Sequence, residues 1–338
     1  MANMPTGRLF TFRSGGWVLT VALVVSIAGT AWNLSPLWRR GRERPRGDGR
    51  TAASYGFDLA DALVPKDRIV SSGMVADALP SIENPKTISF EELRASPDAG
   101  RQKLLVSSDE VIGVDLGGES RAYPLRMLAW HEIVNDTLGG VPIAVTYNPI
   151  SGGMAVFDRR VRGTARTFGV SGLLYQSNLL LYDRCPGHAG ESLWSQLQAR
   201  AVTGPEAAAA SELALVPFAL CRFAGWAAAY PGSTVLAPIE GETARYNSDP
   251  YASYLHSDAL RFPVDPLPPA GTFPLKQPVF ASPAGGRWTV TPLPRDDGGT
   301  RFESVGPLGT TPALGMVAYW FAWYATHPDG AGEAVVGR

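Results

Sequence analysis

Within about thirty residues, Ala122 to Gly153, the chain changes its hydrophobic period, and that change limits what it can fold into. Leu125, Leu128, Ala129 and Ile133 recur at helical spacing, and Asn135-Asp136 interrupts the pattern. Gly139-Gly140 then turns the chain into Val141 to Tyr147, a β-branched-rich run that reads as a buried strand. The strand stops at Asn148-Pro149, because proline cannot donate to a ladder, and Ser151-Gly152-Gly153 follows. On a helix reaching Asp136, His131 lies one turn from Asn135 and Glu132 one turn from Asp136, on faces about 100° apart. A short helix feeding a buried strand through a glycine turn points to an α+β, β-rich fold.

Other segments repeat this punctuation. Val111 to Val114, Gly117-Gly118 and Arg121 to Tyr123 read as a hairpin. Ala155 to Asp158, Thr167 to Val170 and Asn178 to Tyr182 read as strands, with turns at Arg162-Gly163 and Gly169 to Gly172. Ser192 to Gln198 reads as a strand or one helical turn. Thr87 or Ser89 is placed to cap a helix starting at Phe90. Cys221 to Tyr230 and Leu314 to Ala325 read as helices, the second too short to cross a bilayer. With 37 glycines and 28 prolines, short antiparallel strands with a few helices are expected. Residues 278–293 align without gaps on 110–125, and Trp323-x-x-x-His327-Pro328 echoes Trp226-x-x-x-Tyr230-Pro231. Two echoes in the same order suggest two weakly related halves.

Between Arg13 and Arg39 no charged residue occurs. We divide the chain into a flank (1–16), a transmembrane helix or signal peptide (17–38), an Arg-rich linker (39–60) and a globular domain (61–338). Trp17, Trp32 and Trp38 sit where interfacial anchors belong, so membrane lipid is the expected partner of residues 17–38. The small residues Gly29-Thr30-Ala31 keep cleavage open as the alternative. The arginines at 39, 40, 42, 44, 46 and 50 argue for a cytoplasmic domain by the positive-inside rule. A net charge of −1 gives no footprint for nucleic acid. Cys185 and Cys221 allow one disulfide at most.

The chemistry-bearing groups gather near the opening stretch. His131, Glu132 and Asp183 are the catalytic candidates. Asp136, Tyr147, Asn148, Ser151 and Ser171 are candidates for substrate contact. His131 and Glu132 offer a nitrogen and an oxygen to a divalent metal, or form a proton-transfer pair. The alternative is structural: His131 bonds to backbone, and the acids pair with Arg121, Arg126 or Arg184. His131-Glu132 lacks the second histidine of a zincin helix, and Ser171 precedes a strand-like run rather than a helix, so it is not a nucleophile elbow.

The ordered segments GMVADALPSIENPKTISFEE, AYPLRMLAWHEIVND, VTYNP, FGVSGLLYQSNLLLYDR, ESLWSQ and YWFAWYATHPD resemble the uncharacterised bacterial and archaeal family called domain of unknown function 3179. The resemblance implies no assigned activity. It does imply an exported or membrane-attached protein, which opposes the charge rule and favours an extracytoplasmic domain. Relatives read Thr-Tyr-Cys-Pro-Leu-Cys where this chain has Thr146 to Ser151, so dithiol or soft-metal chemistry is not expected here. An inserted Cys185-Pro186-Gly187-His188 is a second departure. The expected function is a membrane-anchored binding or scaffold module, degenerate in that thiol pair. The alternative is a metal-assisted or acid–base enzyme acting on a small molecule, with His131 as ligand or base.

Overall fold

In the computed structural model, described for residues 45–95, 105–294, 309–328 and 333–334, a sheet-rich α+β body begins at Arg46. The expected membrane segment, 17–38, lies outside the described residues. Among the described residues no helix is long and apolar enough to cross a membrane. Tyr55 and Phe57, inside the expected linker, are buried.

The hairpin of β1 (Glu110–Leu116) and β2 (Glu119–Pro124) forms as its glycines predict, pairing Val111 with Pro124 and Leu116 with Glu119. Helix α1 (Leu125–His131) follows, then strands β3 (Ile133–Leu138), β4 (Val141–Asn148) and β5 (Gly153–Asp158), paired antiparallel in that order. The helix therefore ends five residues before Asp136. Glu132 takes φ 55° at its C-terminal end, where its N–H caps Leu128 and its carbonyl accepts from Tyr147. That single left-handed residue turns the helix into a strand. The four-apart pairs expected on a continuous helix do not form.

A second sheet holds β6 (Phe168–Tyr175), β7 (Asn178–Asp183) and β8 (Leu193–Ser195) in order, with Ile69–Ser71 on β6. The expected turn at Gly169 to Gly172 is instead a bulge inside β6, where the register shifts between Val170 and Leu174. Ser171 fills it: its Oγ accepts from the Leu173 N–H at 3.0 Å and donates to the Leu180 carbonyl at 2.5 Å. At Phe90 the capping residue is Ser89, whose Oγ accepts from the Glu92 N–H while Glu92 accepts from the Ser89 N–H.

Two expected helices are each a strand followed by a helix. Cys221 lies in β9 (Ala219–Arg222), before α2 (Phe223–Ala229). Strand β10 (Thr234–Leu236) comes next. Farther on come β11 (Pro278–Ala284), β12 (Arg287–Pro292), β13 (Met316–Tyr319), α3 (Trp320–Thr326) and β14 (Glu333–Ala334). Burial on nearly all sides gives Met316 to Ala325 a continuous apolar pattern, which hides the switch of period, whereas in Phe223–Ala229 only Trp226 is buried and the small and aromatic residues alone make the run apolar. Cys185 and Cys221 are both free thiols.

The two echoes occupy matching places. Strand order is β9-β1-β2-β10 in one sheet and β13-β11-β12-β14 in another. Val111 pairs with Pro124 as Val279 pairs with Pro292, and Arg222 faces Glu110 as Tyr319 faces Pro278. The last strand is parallel in both, Thr234 beside Arg121 and Glu333 beside Thr289. Trp226 stacks on Tyr230 and Trp323 on His327, each with ring centroids 4.0 Å apart.

Candidate functional site

The switch at Glu132 builds the site. Leaving a helix by a left-handed residue aims the Glu132 side chain inward, where it is 4% exposed. Asn148, at the end of β4, donates from Nδ2 to Glu132 Oε1 at 3.0 Å. The other carboxyl oxygen of Glu132 has no hydrogen-bond partner among the described residues and borders a cavity of about 310 Å³. Leu79, Ile150, Leu173, Leu174 and Leu179 give this cavity apolar walls, and exposed Arg261 stands at its mouth beside Phe262. Burial raises the Glu132 carboxyl to about 7, against the opposing bond from Asn148. Near neutrality it is therefore half protonated, able to donate a hydrogen bond when neutral and to accept one when ionised.

Behind Asn148 runs a buried polar chain. Ser151 Oγ donates to Asn148 Oδ1 at 2.7 Å, and Asn178 Nδ2 donates to Ser151 Oγ at 2.8 Å and to Gln196 Oε1 at 2.7 Å. Gln196 Nε2 in turn donates to Thr146 Oγ1 at 2.8 Å and to the Gly153 carbonyl at 3.1 Å. Each amide has both its nitrogen and its oxygen engaged, so the chain fixes the orientation of Asn148 from behind. Asn148 and Ser151, the positions where the resemblance implied a thiol pair, are thus in direct contact and form the first link of this chain.

The remaining expected residues disperse. His131 leaves α1 on another side: Nδ1 lies 2.8 Å from the Pro80 carbonyl and Nε2 2.8 Å from the Tyr246 hydroxyl. A carbonyl only accepts, so Nδ1 carries the proton and Nε2 accepts from Tyr246. Burial lowers the His131 pKa, with the Pro80 carbonyl opposing. Both ring nitrogens are engaged, and His131 shares no cavity wall with Glu132. Among the described residues no three His, Cys, Asp or Glu side chains are grouped to hold a metal ion.

Asp136 accepts from Arg121 at 2.5 Å and from the Tyr123 hydroxyl at 2.7 Å, the ion pair of the structural alternative. Asp183 Oδ1 accepts from the Ser192 N–H at 2.7 Å and from Trp194 Nε1 at 3.3 Å. Its Oδ2 is buried without a partner among the described residues, and burial raises its pKa. Ser171 is spent in the β6 bulge. Tyr147 lies on the opposite face of β4 from Asn148 and lines a different cavity.

Asn178, Gln196 and Arg261 were missed. Gln196 ends the segment ESLWSQ, one of the family segments, and that was its available signal. Arg261 carries none.

Comparison with curated proteins and with solved structures returned no match. A family model described as "Protein of unknown function (DUF3179)" matches residues 76–294, a span that holds Glu132, Asn148, Ser151, Asn178 and Gln196, and this chain belongs to that family.

Proposed function

We propose that the chain is a membrane-anchored binding module whose ligand is a small molecule with an aliphatic body and a polar, hydrogen-bond-accepting head. The observation that carries this reading is the Glu132 carboxyl: buried, near-neutral in pKa, and with one oxygen bordering an apolar cavity. A carboxyl without a second partner costs free energy in an apolar site unless a ligand or water bonds to it. The polar chain from Asn148 to Gln196 supports binding, since it holds the head-group partner still. His131, which the enzyme reading needed as ligand or base, is tied to Pro80 and Tyr246.

Attachment through residues 17–38, with the domain outside the cytoplasm, completes the proposal. The uncharged interval and the family resemblance support it, against the arginine run. A reporter fused to the C-terminus reads the side, and carbonate extraction of membranes reads the anchor.

The binding test is calorimetry of pentanoate against the full chain in lipid nanodiscs, with empty nanodiscs subtracted. Pentanoate binding at pH 6 that is lost on filling the cavity with Leu174→Trp supports the reading. Equal heats from wild type and a cooperatively folded Leu174→Trp variant remove it.

A further inference from the structure

Among the described residues that line the Glu132 cavity, two are acidic or basic: Glu132 itself and Arg261. They stand at different depths, Glu132 buried and Arg261 exposed, and they do not pair with each other. Arg261 is placed at the mouth by the chain around it. Segment 262–265 is fastened on the β6–β7 turn. Ser177 Oγ donates to the Phe262 carbonyl at 3.1 Å, Gln176 Nε2 donates to the Asp265 carbonyl at 2.5 Å, and Gln176 Oε1 accepts from the Asp265 N–H at 2.9 Å. The guanidinium carbon of Arg261 lies 5.6 Å from the centre of the Tyr254 ring. That ring is itself held, because its hydroxyl donates to the carbonyl of Ile150, a wall residue, at 2.8 Å. Asp265, four residues on, pairs with Arg68 instead. Arg261 is thus a fixed cation beside an apolar opening, with no carboxylate partner among the described residues.

The space between the two charged residues is apolar, walled by Leu79, Ile150, Leu173, Leu174 and Leu179. An occupant that satisfies the whole cavity therefore has two polar ends and a hydrocarbon middle. At the inner end a hydrogen-bond acceptor meets the Glu132 carboxyl. At the mouth an anion meets one guanidinium. A carboxylate matches that planar fork with two parallel bonds and a single charge. A phosphate dianion would leave one charge without a partner at the edge of an apolar space.

We propose that the Glu132 cavity takes a short α,ω-dicarboxylic acid. One carboxylate accepts from Glu132 inside, the methylene chain lies on the leucine walls, and the second carboxylate pairs with Arg261 at the mouth. Arg261 is then the residue that selects a diacid over a monoacid of the same length. This inference rests on the binding reading of the cavity given above, and it names the ligand class that the reading left open.

The test is calorimetry at pH 6 of three diacids, glutarate, adipate and pimelate, each against the monoacid of its own length, pentanoate, hexanoate and heptanoate. The full chain is used in lipid nanodiscs, with empty nanodiscs subtracted. Salt is kept at about 0.15 M, so that distant charges are screened. At least one diacid is expected to bind about fivefold tighter than its monoacid. Arg261→Gln should remove that advantage and leave the monoacid unchanged. Arg261→Lys, which keeps the charge and loses the fork, should retain part of it. Arg287→Gln, which removes an exposed charge from β12, should change neither ligand. Pentanoate binding without any diacid advantage would overturn this proposal and leave the binding reading standing. An advantage that survives in a cooperatively folded Arg261→Gln chain, or a monoacid weakened by that variant as much as the diacid, would overturn it as well. No binding of any of the six acids would remove the binding reading and this proposal together.

Discussion

Tyr147 and Asn148 are neighbours at the end of one strand, and their side chains border different cavities. Strand alternation requires this: a side chain and its successor point to opposite faces of a sheet. A strand end that stops at Pro149 has no further ladder to cover either face. The helix end at Glu132 closes over the Asn148 side, and the segment 246–251 divides the two spaces. Two cavities of different lining thus come from two adjacent residues. One is bordered by a carboxyl whose pKa burial raises to about 7, the other by a tyrosine whose hydroxyl pKa burial raises well above its ordinary value.

Burial of Glu132 makes a stability prediction with a defined sign. Its folded pKa, about 7, lies above its ordinary 4.5. Below pH 4.5 both folded and unfolded chains hold the proton, and the contribution is fully present. Between 4.5 and 7 only the folded chain holds it, so stability falls as pH rises, by about 3 kcal/mol across that window. Above 7 the loss is complete. Glu132→Gln cannot titrate and should lack this fall. Urea midpoints of wild type and variant at pH 5 and pH 8 measure it; parallel curves would mean that Glu132 is not buried as described. Pentanoate affinity should follow the same proton, weakening from pH 6 to pH 8 in wild type only, because an ionised Glu132 repels a carboxylate.

His131 separates structure from binding. Truncation to Ala removes the partner of the Pro80 carbonyl and of the Tyr246 hydroxyl, and should cost about 1–3 kcal/mol for each group left unbonded. Since His131 does not line the Glu132 cavity, pentanoate affinity at pH 6 should stay within about twofold of wild type, roughly 0.4 kcal/mol. Denaturation and calorimetry on the same samples read both. A variant of full stability that has lost the ligand would return His131 to the site.

The legible parts of this chain are those where one residue type forces one geometry. Gly117-Gly118 gave its hairpin and Gly139-Gly140 its turn, although the strand before that turn, Ile133–Leu138, reads in sequence as the end of a helix; Pro149 ended β4, and Ser89 with Glu92 gave a capped helix start. Glu132 was recognised as a candidate but placed in the middle of a helix. No sequence rule announces a left-handed glutamate, since the conformation is disfavoured for that residue and is held by the bonds to Leu128 and from Tyr147. That misplacement carried Asp136 into the site and put His131 on a wall it does not reach. Asn148 and Ser151 were singled out because a strand end beside glycines is a place where side chains converge. Asn178 and Gln196 come from another sheet, and period and punctuation within one segment say nothing about which sheet packs behind it.

The matching motifs yield a last prediction because they differ at one packed position. Gly113 of β1 corresponds to Ala281 of β11 in the gapless alignment. A Cβ built on Gly113 would lie 2.3 Å from the Trp226 ring, a buried side chain with 0% exposure. The ring stacks on Tyr230 and donates from Nε1 to Ser233 Oγ at 2.9 Å, so it is held on two sides and cannot yield cheaply. Gly113→Ala should therefore destabilise by about 1–3 kcal/mol through overpacking, although alanine normally improves a strand relative to glycine. Ala281→Gly, in the partner motif, should cost only about 1 kcal/mol, from lost packing and added chain entropy. Guanidinium denaturation of the two variants reads the comparison directly. A Gly113→Ala chain as stable as wild type would show that the Trp226 ring is free to move, and the close helix-to-strand packing described for this motif would then be wrong.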